Sequence, residues 1–482
     1  MTLMTREQYL STLKELPHSV FIREEEVKNV VDHPVSRPPA MAMAETYHLA
    51  QQEDTRSLFT ARSHVTGETI NRFTHIQQGT QDLVNKILML REMGRKTACC
   101  FQRCAGLDCI NTVFATTYDM DQEYGTRYHR RFVDFLKHVQ TNDLVTAACM
   151  TDSKGDRSLP PSRQEDKDQY LHMVEQRDGG IVVRGAKLHI TGAVNSHELL
   201  VVPTRALKEE DRDYAVAFAV PADTKGIVFI YGRQPSDTRR LEEGQSDVGN
   251  LYYGGCEAMV VFDDVFVPEE RVFMKGEYAM AGRLVELFAA HHRASYGGCK
   301  VGVGDVLIGA TAAIAEAQGT EKSSHVRDKL AEMIHLNETL HAGALASALK
   351  GYRTASGAYA VDPLLANVCK LNVTRFPFEI SRLAQDIAGG ILVTMPSLGG
   401  RNDPFLGKYL EKYLVGKEGV ESERRMRILR LIENLTLGTG AVSYLTESIH
   451  GAGSPQAQKI MITRLADLDT AKAYASKLCG IS

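Results

Sequence analysis

The chain has 482 residues, which is more than a single hydrophobic core usually serves, so we expect two or three domains. Hydrophobic residues make up 43% of the chain and charged residues 24%, a balance typical of soluble globular proteins. The formal net charge of −4 gives no support to nucleic-acid binding as a function.

The amino-terminal stretch MTLMTREQYLSTLKEL mixes charged residues into an amphipathic pattern and lacks the apolar core of a signal peptide. No apolar run approaches the roughly 20 residues that span a bilayer. We therefore expect a cytoplasmic protein without a membrane partner. The nine cysteines are an odd number in a long chain, which argues against a disulfide framework. In a reducing compartment, clustered cysteines favour metal, cofactor or redox chemistry.

Three regions follow one another along the chain. Residues 1–145 predict an N-terminal helical domain, because apolar residues in stretches such as TQDLVNKILMLREMGRK recur every three or four positions. Residues 146–275 are rich in β-branched residues and glycine and predict a mostly antiparallel middle β domain, with a hairpin at the RDGG of 177–180. Helical patterns return in residues 276–482 and predict a C-terminal helical bundle, interrupted by a Gly/Pro-marked loop at 397–419. The fold class is α+β and multidomain.

Four cysteines, Cys99, Cys100, Cys104 and Cys109, lie within eleven residues of the first region. If this stretch is helical, Cys100 and Cys104 lie on one face about one turn apart, and Cys99 points about 100° away. Buried free thiols are the commoner explanation of such a pair. The spacing does not match the two close pairs that a zinc site requires.

The stretch HHRASYGGCKVGVGD at 291–305 places His292, Tyr296 and Cys299 on one stripe of a helix, with Lys300 at its edge. A packed helix with a polar edge would give the same pattern. Iron–sulfur clusters take four thiolates by default, and histidine is an occasional substitute. A three-cysteine, one-histidine set could come from four residues, provided that two distant segments meet: Cys100, Cys104, His292 and Cys299.

Two further stretches could contact a cofactor. The loop MTDSKGDR at 150–157 offers small and polar groups to a flavin edge, although a plain surface turn is the simpler interpretation. AQDIAGGI at 384–391 places two glycines after a long helix, where they allow close approach of a phosphate or merely end the helix. Neither a GxGxxG fingerprint in a strand–turn–helix setting nor a P-loop is present, so a dinucleotide would be held by a non-Rossmann fold. Glu257 and Glu447 are further candidate acids.

Taken together, these motifs resemble the 4-hydroxybutyryl-CoA dehydratase family of the 4-hydroxyphenylacetate 3-hydroxylase superfamily. The resemblance runs nearly end to end and is carried by VDHPVSRP, GRKTACCFQRC, MTDSKGDR, VVRGAKLHITGAVNSHE, IYGRQPSDTR, HHRASYGGCKVGVGD, LLANVCKLNVTRFP, DIAGGILVTMPS and TESIHGAGSPQAQ. It implies an acyl-CoA dehydrogenase-like fold. It also implies an acyl-CoA substrate and a homotetramer, a dimer of dimers in which a neighbouring subunit completes part of the FAD site.

In this family three cysteines and one histidine hold a 4Fe–4S cluster beside FAD. The resemblance places the ligands at Cys100, Cys104, His292 and Cys299. Cys99 stands where the family has a small non-thiol residue, which leaves the choice between Cys99 and Cys100 open, and the four-residue spacing favours Cys100. The implied flavin contacts are Met150, Thr151, Asp152, Ser153, Lys154, Gly155, Asp156, Arg157, His189, Ile190, Thr191, Gln385, Gly389 and Gly390.

The implied reaction is a radical-type dehydration of 4-hydroxybutyryl-CoA to crotonyl-CoA, with isomerisation of vinylacetyl-CoA to crotonyl-CoA as a second activity. Transient one-electron oxidation would acidify the otherwise unactivated β C–H. His292, when released from the cluster, is the expected base for the α proton, and Tyr296 would donate to or orient the leaving hydroxyl with support from Lys300. Glu257 and Glu447 are the expected acid–base or positioning carboxylates.

Two other functions fit parts of the sequence. An FADH2-dependent aromatic hydroxylase of the same superfamily would share the fold but would not need Cys100, Cys104 and Cys299 together. A helical oligomeric scaffold with incidental cysteines would need neither cofactor. An absorbance spectrum distinguishes all three.

Overall fold

The amino-terminal part of the chain folds mainly into helices, as the spacing of its apolar residues predicts. The computed structural model describes residues 3–242 and 244–481. The elements of this part are α1 (Arg6–Glu15), β1 (Ser19–Ile22), β2 (Glu25–Glu26), α2 (Arg37–Gln51), α3 (Arg56–Phe59), β3 (Thr60–Arg62), β4 (Thr69–Asn71), α4 (Thr80–Thr97), α5 (Cys104–Tyr124) and α6 (Tyr128–Thr141).

The middle part forms two sheets. Its strands are β5 (Thr146–Cys149), β6 (His172–Arg177), β7 (Gly180–Thr191), β8 (Glu198–Val201), β9 (Val216–Pro221), β10 (Ile227–Tyr231), β11 (Glu257–Pro268) and β12 (Val272–Lys275). One sheet has the order β2-β1-β10-β11-β7-β6 and the other has the order β12-β9-β8-β5. Most of these pairings are antiparallel, as predicted. The hairpin at 177–180 is confirmed, because Arg177 pairs with Gly180 where β6 turns into β7.

One strand of the larger sheet comes from outside the region predicted to be β. β1 pairs in parallel with β10, with Val20 opposite Phe229. Val20 and Ile22 alternate as buried residues and join the core under this sheet. A strand of four residues is too short for its periodicity to stand out from the helical patterns around it.

The carboxy-terminal part is a helical bundle. Its elements are α7 (Tyr278–Gln318), α8 (Ser324–Leu349), β13 (Tyr352–Arg353), β14 (Tyr359–Ala360), α9 (Pro363–Val373), α10 (Phe376–Ala388), α11 (Ile391–Thr394), α12 (Gly407–Tyr413), α13 (Ser422–Thr436), α14 (Glu447–His450), α15 (Pro455–Leu465) and α16 (Leu468–Leu478). A π-helical turn, Val442–Thr446, precedes α14. The predicted loop at 397–419 contains α12, which begins where the Asp403 carboxylate accepts two backbone N–H groups.

α7 is the central helix and packs against α4, α5, α8 and α9. By length and composition it could cross a membrane, contrary to our expectation that no run of the chain could. However, 56% of its most apolar window is buried inside the protein, as in the core helix of a soluble protein. Gly94 of α4 and Gly302 of α7 let the two backbones touch, since a Cβ on Gly94 would lie 2.8 Å from the Gly302 Cα.

Stability should fall as the pH drops, because of one buried histidine between α1 and the smaller sheet. His197 accepts the Val145 N–H at Nδ1, and Nε2 lies 2.9 Å from the Thr12 hydroxyl. Burial lowers its pKa from 6.5 to about 4. The unfolded chain therefore binds a proton that the folded chain does not, and stability is lost as the pH falls from 6.5 through 4.

We expect this loss to be on the order of 3 kcal/mol. A His197→Asn variant should unfold with a flatter pH dependence in this window, as followed by circular dichroism in urea at several pH values. An unchanged slope in the variant would contradict the assignment.

Candidate active site

The site lies where α5 and α7 meet the segment that joins α4 to α5. Cys104 is the first residue of α5, and Cys100 lies in the preceding connector at 98–103. The prediction that Cys100 and Cys104 share one helical face is therefore wrong. α4 ends at Thr97, and Ala98 takes a left-handed conformation with φ of 48°. This reversal, and not a helical repeat, brings the connector back against the start of α5.

Three thiols lie together at this junction. The thiol of Cys104 is within hydrogen-bonding reach of Cys299, and this contact together with burial raises the pKa of Cys104. The same contact lowers the pKa of Cys299, next to the ammonium of Lys300. Cys100 lies close enough for its charge to act on Cys104, while burial and Glu447 raise its own pKa. Three converging, largely buried thiols are a donor set suited to iron.

Cys99 differs from Cys100 in its surroundings. Cys99 is 4% exposed and belongs to an apolar cluster with Met89, Leu90 and Met93, to which Cys104 and Cys299 also belong but Cys100 does not. The hydrogen-bond partner of Cys99 is Thr97 at the end of α4, and burial raises the pKa of Cys99 to about 12. The sulfur of Cys100, in contrast, lies within 4.8 Å of carboxylate oxygens of Glu257 and Glu447. Cys100 is thus the member of the adjacent pair that lies among the polar groups of the site.

His292 stands two turns before Cys299 on α7. Its Nδ1 lies 2.9 Å from Oδ2 of Asp108, a carboxylate on α5. The imidazole stacks on Phe288 at 5.6 Å and meets the ring of Tyr296 edge-on at 5.1 Å. Burial alone would raise the pKa of Asp108, but Lys86 and the hydrogen bond to His292 lower it well below its ordinary value.

Two carboxylates, Glu257 and Glu447, lie beside Cys100 together with one lysine, Lys300. The Thr191 hydroxyl donates to both oxygens of Glu257 at 2.8 Å. Burial and the neighbouring Glu447 raise the pKa of Glu257 well above its ordinary value. Lys300 donates to Glu447 at 2.9 Å and to the Ser443 carbonyl in the π-helical turn. Although burial alone would lower the pKa of Lys300, Glu447 raises it. The protonated form is therefore favoured at Glu257, and Glu447 is ion-paired with Lys300.

Replacing Lys300 with methionine should destabilise the fold by about 3–5 kcal/mol, because it leaves the Glu447 carboxylate without its cation. The Lys300 and Glu447 side chains are only 5% and 17% exposed. The surface pair Lys329–Asp386 is the matched control, and Lys329→Met should cost less than about 1 kcal/mol. Urea unfolding of the two variants measures the difference. Equal losses of unfolding free energy would show that the buried pair contributes no more to stability than the surface pair.

Tyr296 lies between two lysines. The ammonium of Lys300 is 5.2 Å from its ring centroid and that of Lys370 is 4.8 Å away. Burial raises the pKa of the Tyr296 hydroxyl. Lys370 donates to the Ser448 carbonyl at 2.7 Å, and burial with the nearby charge of Lys300 lowers its pKa to about 7. Two amines with opposite pKa shifts thus face one phenol.

Comparison with known proteins shows which family the chain belongs to. Residues 5–274 match the family model 4-hydroxyphenylacetate 3-hydroxylase N terminal, and residues 281–480 match its C-terminal counterpart. The chain is 53% identical over 488 residues to the 4-hydroxybutyryl-CoA dehydratase/vinylacetyl-CoA-Delta-isomerase of Clostridium aminobutyricum, covering 99% of this chain and 100% of that protein. The chain belongs to the 4-hydroxybutyryl-CoA dehydratase family.

Solved structures agree with this membership. An oxygen-tolerant archaeal 4-hydroxybutyryl-CoA dehydratase from N. maritimus superposes with a TM-score of 0.98 at 51% identity, covering 100% of this chain and 96% of that one. The oxygenase component of 4-hydroxyphenylacetate 3-monooxygenase, complexed with FAD, gives 0.86 at 24% identity over 98% of both chains. Butyryl-CoA dehydrogenase from Megasphaera elsdenii gives 0.51 at 14% identity over 96% of this chain and 98% of that one. The predicted acyl-CoA dehydrogenase-like fold of this dehydratase-family chain is confirmed.

Most of the predicted flavin-contacting residues lie on two segments that touch. Leu188 N–H donates to Thr151 O at 2.7 Å. Lys154 and His189 both adopt positive φ, of 75° and 57°, which side chains other than glycine rarely do. Such backbone strain concentrates at functional sites. The structure thus joins the loop 150–157 to the end of β7.

Several of these side chains have partners within the protein. The Asp152 carboxylate is buried and lies 2.8 Å from the Lys187 ammonium, which also bonds the Met150 carbonyl. Ile190 is in the core, and Ser153 donates to the Gln169 carbonyl. These side chains shape the loop. Its exposed members in the dehydratase-family chain are Gly155, Asp156 and Arg157.

Gln385, Gly389 and Gly390 lie apart, at the carboxy-terminal end of α10. Gly389 N–H bonds Gln385 O and ends the helix with φ of 83°. Both glycines are exposed, and a Cβ on either would meet nothing within 4 Å. The helix cap, the simpler of the two sequence interpretations, is present. The exposed glycines leave room for another molecule to approach.

Sequence reasoning missed two site residues, Asp108 and Lys370. Each is the single charged residue of a buried, mostly apolar stretch, CAGLDCINTVF in α5 and LLANVCKLNV in α9. A lone charge in a buried helix needs a partner, and this was the signal available. The partners, Lys86 and His292 for Asp108 and Ser448 for Lys370, are far away in sequence.

Proposed function

We propose that this chain dehydrates 4-hydroxybutyryl-CoA to crotonyl-CoA and isomerises vinylacetyl-CoA to crotonyl-CoA as a second activity. The observation that carries the proposal is the convergence of Cys100, Cys104 and Cys299 beside the Glu257–Glu447 pair. His292 lies on α7, two turns before Cys299, and its Nδ1 contacts Asp108, which is one turn after Cys104 on α5. A flavin-dependent aromatic hydroxylase needs no such thiol set. The full-length similarity to the Clostridium aminobutyricum dehydratase supports the same reaction.

The residues present fit the implied cofactors. Cys100, Cys104, Cys299 and His292 would hold a 4Fe–4S cluster, and the loop 150–157 with the end of β7 would contact FAD. When bound, these groups would supply a Lewis acid for the 4-hydroxyl and a carrier of single electrons.

The remaining side chains divide the proton transfers among them. The thioester acidifies only the α C–H, and His292, when it is released from the cluster, is the proposed base for that proton. Glu257 holds a proton on its carboxyl and is the proposed donor to the departing hydroxyl, which Tyr296 orients. Glu447 is ion-paired with Lys300 at 2.9 Å, so the two carboxyl groups are proposed to act as one acid and one base a few ångströms apart.

The test is anaerobic purification followed by absorbance spectroscopy, metal and flavin analysis, and an assay with 4-hydroxybutyryl-CoA. We expect a brown protein with about four irons and one flavin per subunit that forms crotonyl-CoA. A colourless protein with bound zinc would refute the proposal. A flavoprotein without iron that hydroxylates phenols with reduced flavin and oxygen would establish the alternative.

We also propose that the protein is a cytoplasmic homotetramer, a dimer of dimers. None of the described residues of α16 is buried, and this helix with the short segment after it exposes Tyr474, Leu478 and Ile481. Such an apolar surface favours a protein interface. Light scattering coupled to gel filtration should give four times the 53.3 kDa chain mass, and a monomer would contradict it.

A further inference from the structure

Asp108 has no role in the reaction as proposed, yet three donors converge on its carboxylate. Lys86 of α4 donates to Oδ1 at 2.9 Å. The Ser295 hydroxyl donates to Oδ2 at 2.8 Å, and His292 Nδ1 lies 2.9 Å from the same oxygen. The Asp108 side chain is 1% exposed. A buried carboxylate with this many donors is held in a single orientation.

The placement of Asp108 follows from the way α5 and α7 pair. Cys104 and Asp108 are four residues apart on α5, and Cys299 and Ser295 are four apart on α7. Cys104 contacts Cys299, and Asp108 contacts Ser295. The helices therefore run antiparallel here, with two contacts one turn, about 6 Å, apart. Asp108 therefore faces His292, and Cys104 faces Cys299.

The hydrogen bond decides which imidazole nitrogen is available. An ionised carboxylate only accepts, so Nδ1 of His292 carries the proton and donates to Asp108. Among the described residues, Nε2 has no hydrogen-bond partner. In the neutral imidazole this leaves Nε2 as the unprotonated nitrogen, the form in which histidine binds a metal.

We propose that Asp108 is a positioning residue that fixes His292 in the tautomer and orientation in which Nε2 binds the cluster iron. Histidine ligands to metals usually donate their other nitrogen to such a carboxylate, which sets the ring orientation and raises ligand basicity. This inference rests on the proposed function, because it needs the cluster. The alternative is a purely structural role, in which Asp108 only forms the ion pair with Lys86 that links α4 to α5.

The test compares three single variants, Asp108→Asn, Ser295→Ala and Lys86→Met, each purified anaerobically as the full chain. If Asp108 positions His292, Asp108→Asn should change the electron paramagnetic resonance spectrum of the reduced cluster and shift its midpoint potential upward, because a negative charge is lost. A chelator should remove iron about tenfold faster than from wild type. Ser295→Ala removes the other donor to the same oxygen and should keep the wild-type spectrum.

The outcomes separate the explanations. A purely structural ion pair predicts that Lys86→Met and Asp108→Asn lose stability alike while both keep the wild-type spectrum and potential, and that result would overturn the proposal. Wild-type protein without iron would refute the proposed function itself.

If Asp108→Asn does not fold, the Lys86→Met/Asp108→Leu double variant removes both buried charges together, a change that proteins often tolerate. It should lose about one iron in four and show a three-iron signal after oxidation. A full four-iron spectrum in the double variant would also overturn the proposal.

Discussion

A Cys100→Ala variant is expected to purify with much less iron than wild type and to lose crotonyl-CoA formation by more than about 100-fold. Loss of an outer-shell partner of a metal ligand costs about 10- to 100-fold, and loss of a ligand should cost more. Iron analysis, absorbance and the dehydration assay measure the effect. Flavin content should stay near wild type, because the loop 150–157 is untouched.

Cys99→Ala is the matched control, since it removes the neighbouring thiol from the same connector. Cys99 packs among apolar side chains, so alanine should cost some stability but keep the iron and the activity. If Cys99→Ala lost the cluster and Cys100→Ala kept it, the assignment of the two cysteines would be reversed. If both kept it, the connector would supply no ligand besides Cys104.

A Gly451→Ala variant is expected to lose about 100-fold in kcat, since displacing a reacting group by about 1 Å can cost that much. The backbone at Gly451 has φ of −60°, which any residue accepts, so the conflict is with the neighbours alone. A Cβ there would overlap the Tyr296 hydroxyl oxygen and lie 2.8 Å from its Cζ. Tyr296 is buried and packed between two lysines, so its ring has little room to move.

Gly309→Ala makes the same change on α7 where a Cβ would meet nothing within 4 Å. This control should keep kcat and gain up to about 1 kcal/mol in stability from the helix propensity of alanine. A Tyr296→Phe/Gly451→Ala double variant should recover part of the melting temperature that Gly451→Ala loses, because the overlapping hydroxyl is gone. Wild-type kcat in Gly451→Ala would show that the Tyr296 hydroxyl tolerates displacement.

The cysteines show which features of the site could be predicted from the sequence and which could not. The four-residue spacing favoured Cys100 with Cys104 on the assumption of a helix, and the assumption is wrong. The two thiols meet because Ala98 turns the connector back toward the start of α5. The stripe of His292, Tyr296 and Cys299, in contrast, lies on α7 as predicted, because a long apolar repeat fixes a helix and its faces.

What the sequence determined by itself is local. Periodicity predicted the helices of the amino- and carboxy-terminal parts and most of the strands between them, and distinctive motifs indicated the family. Both signals depend only on residues that are close together in the sequence. The tertiary structure decided the rest: that Asp108 meets His292, that Glu257 meets Glu447, and that Gly451 meets Tyr296. These contacts join residues 155 to 190 positions apart, and only the packing of helices and strands around α7 brings such residues into contact.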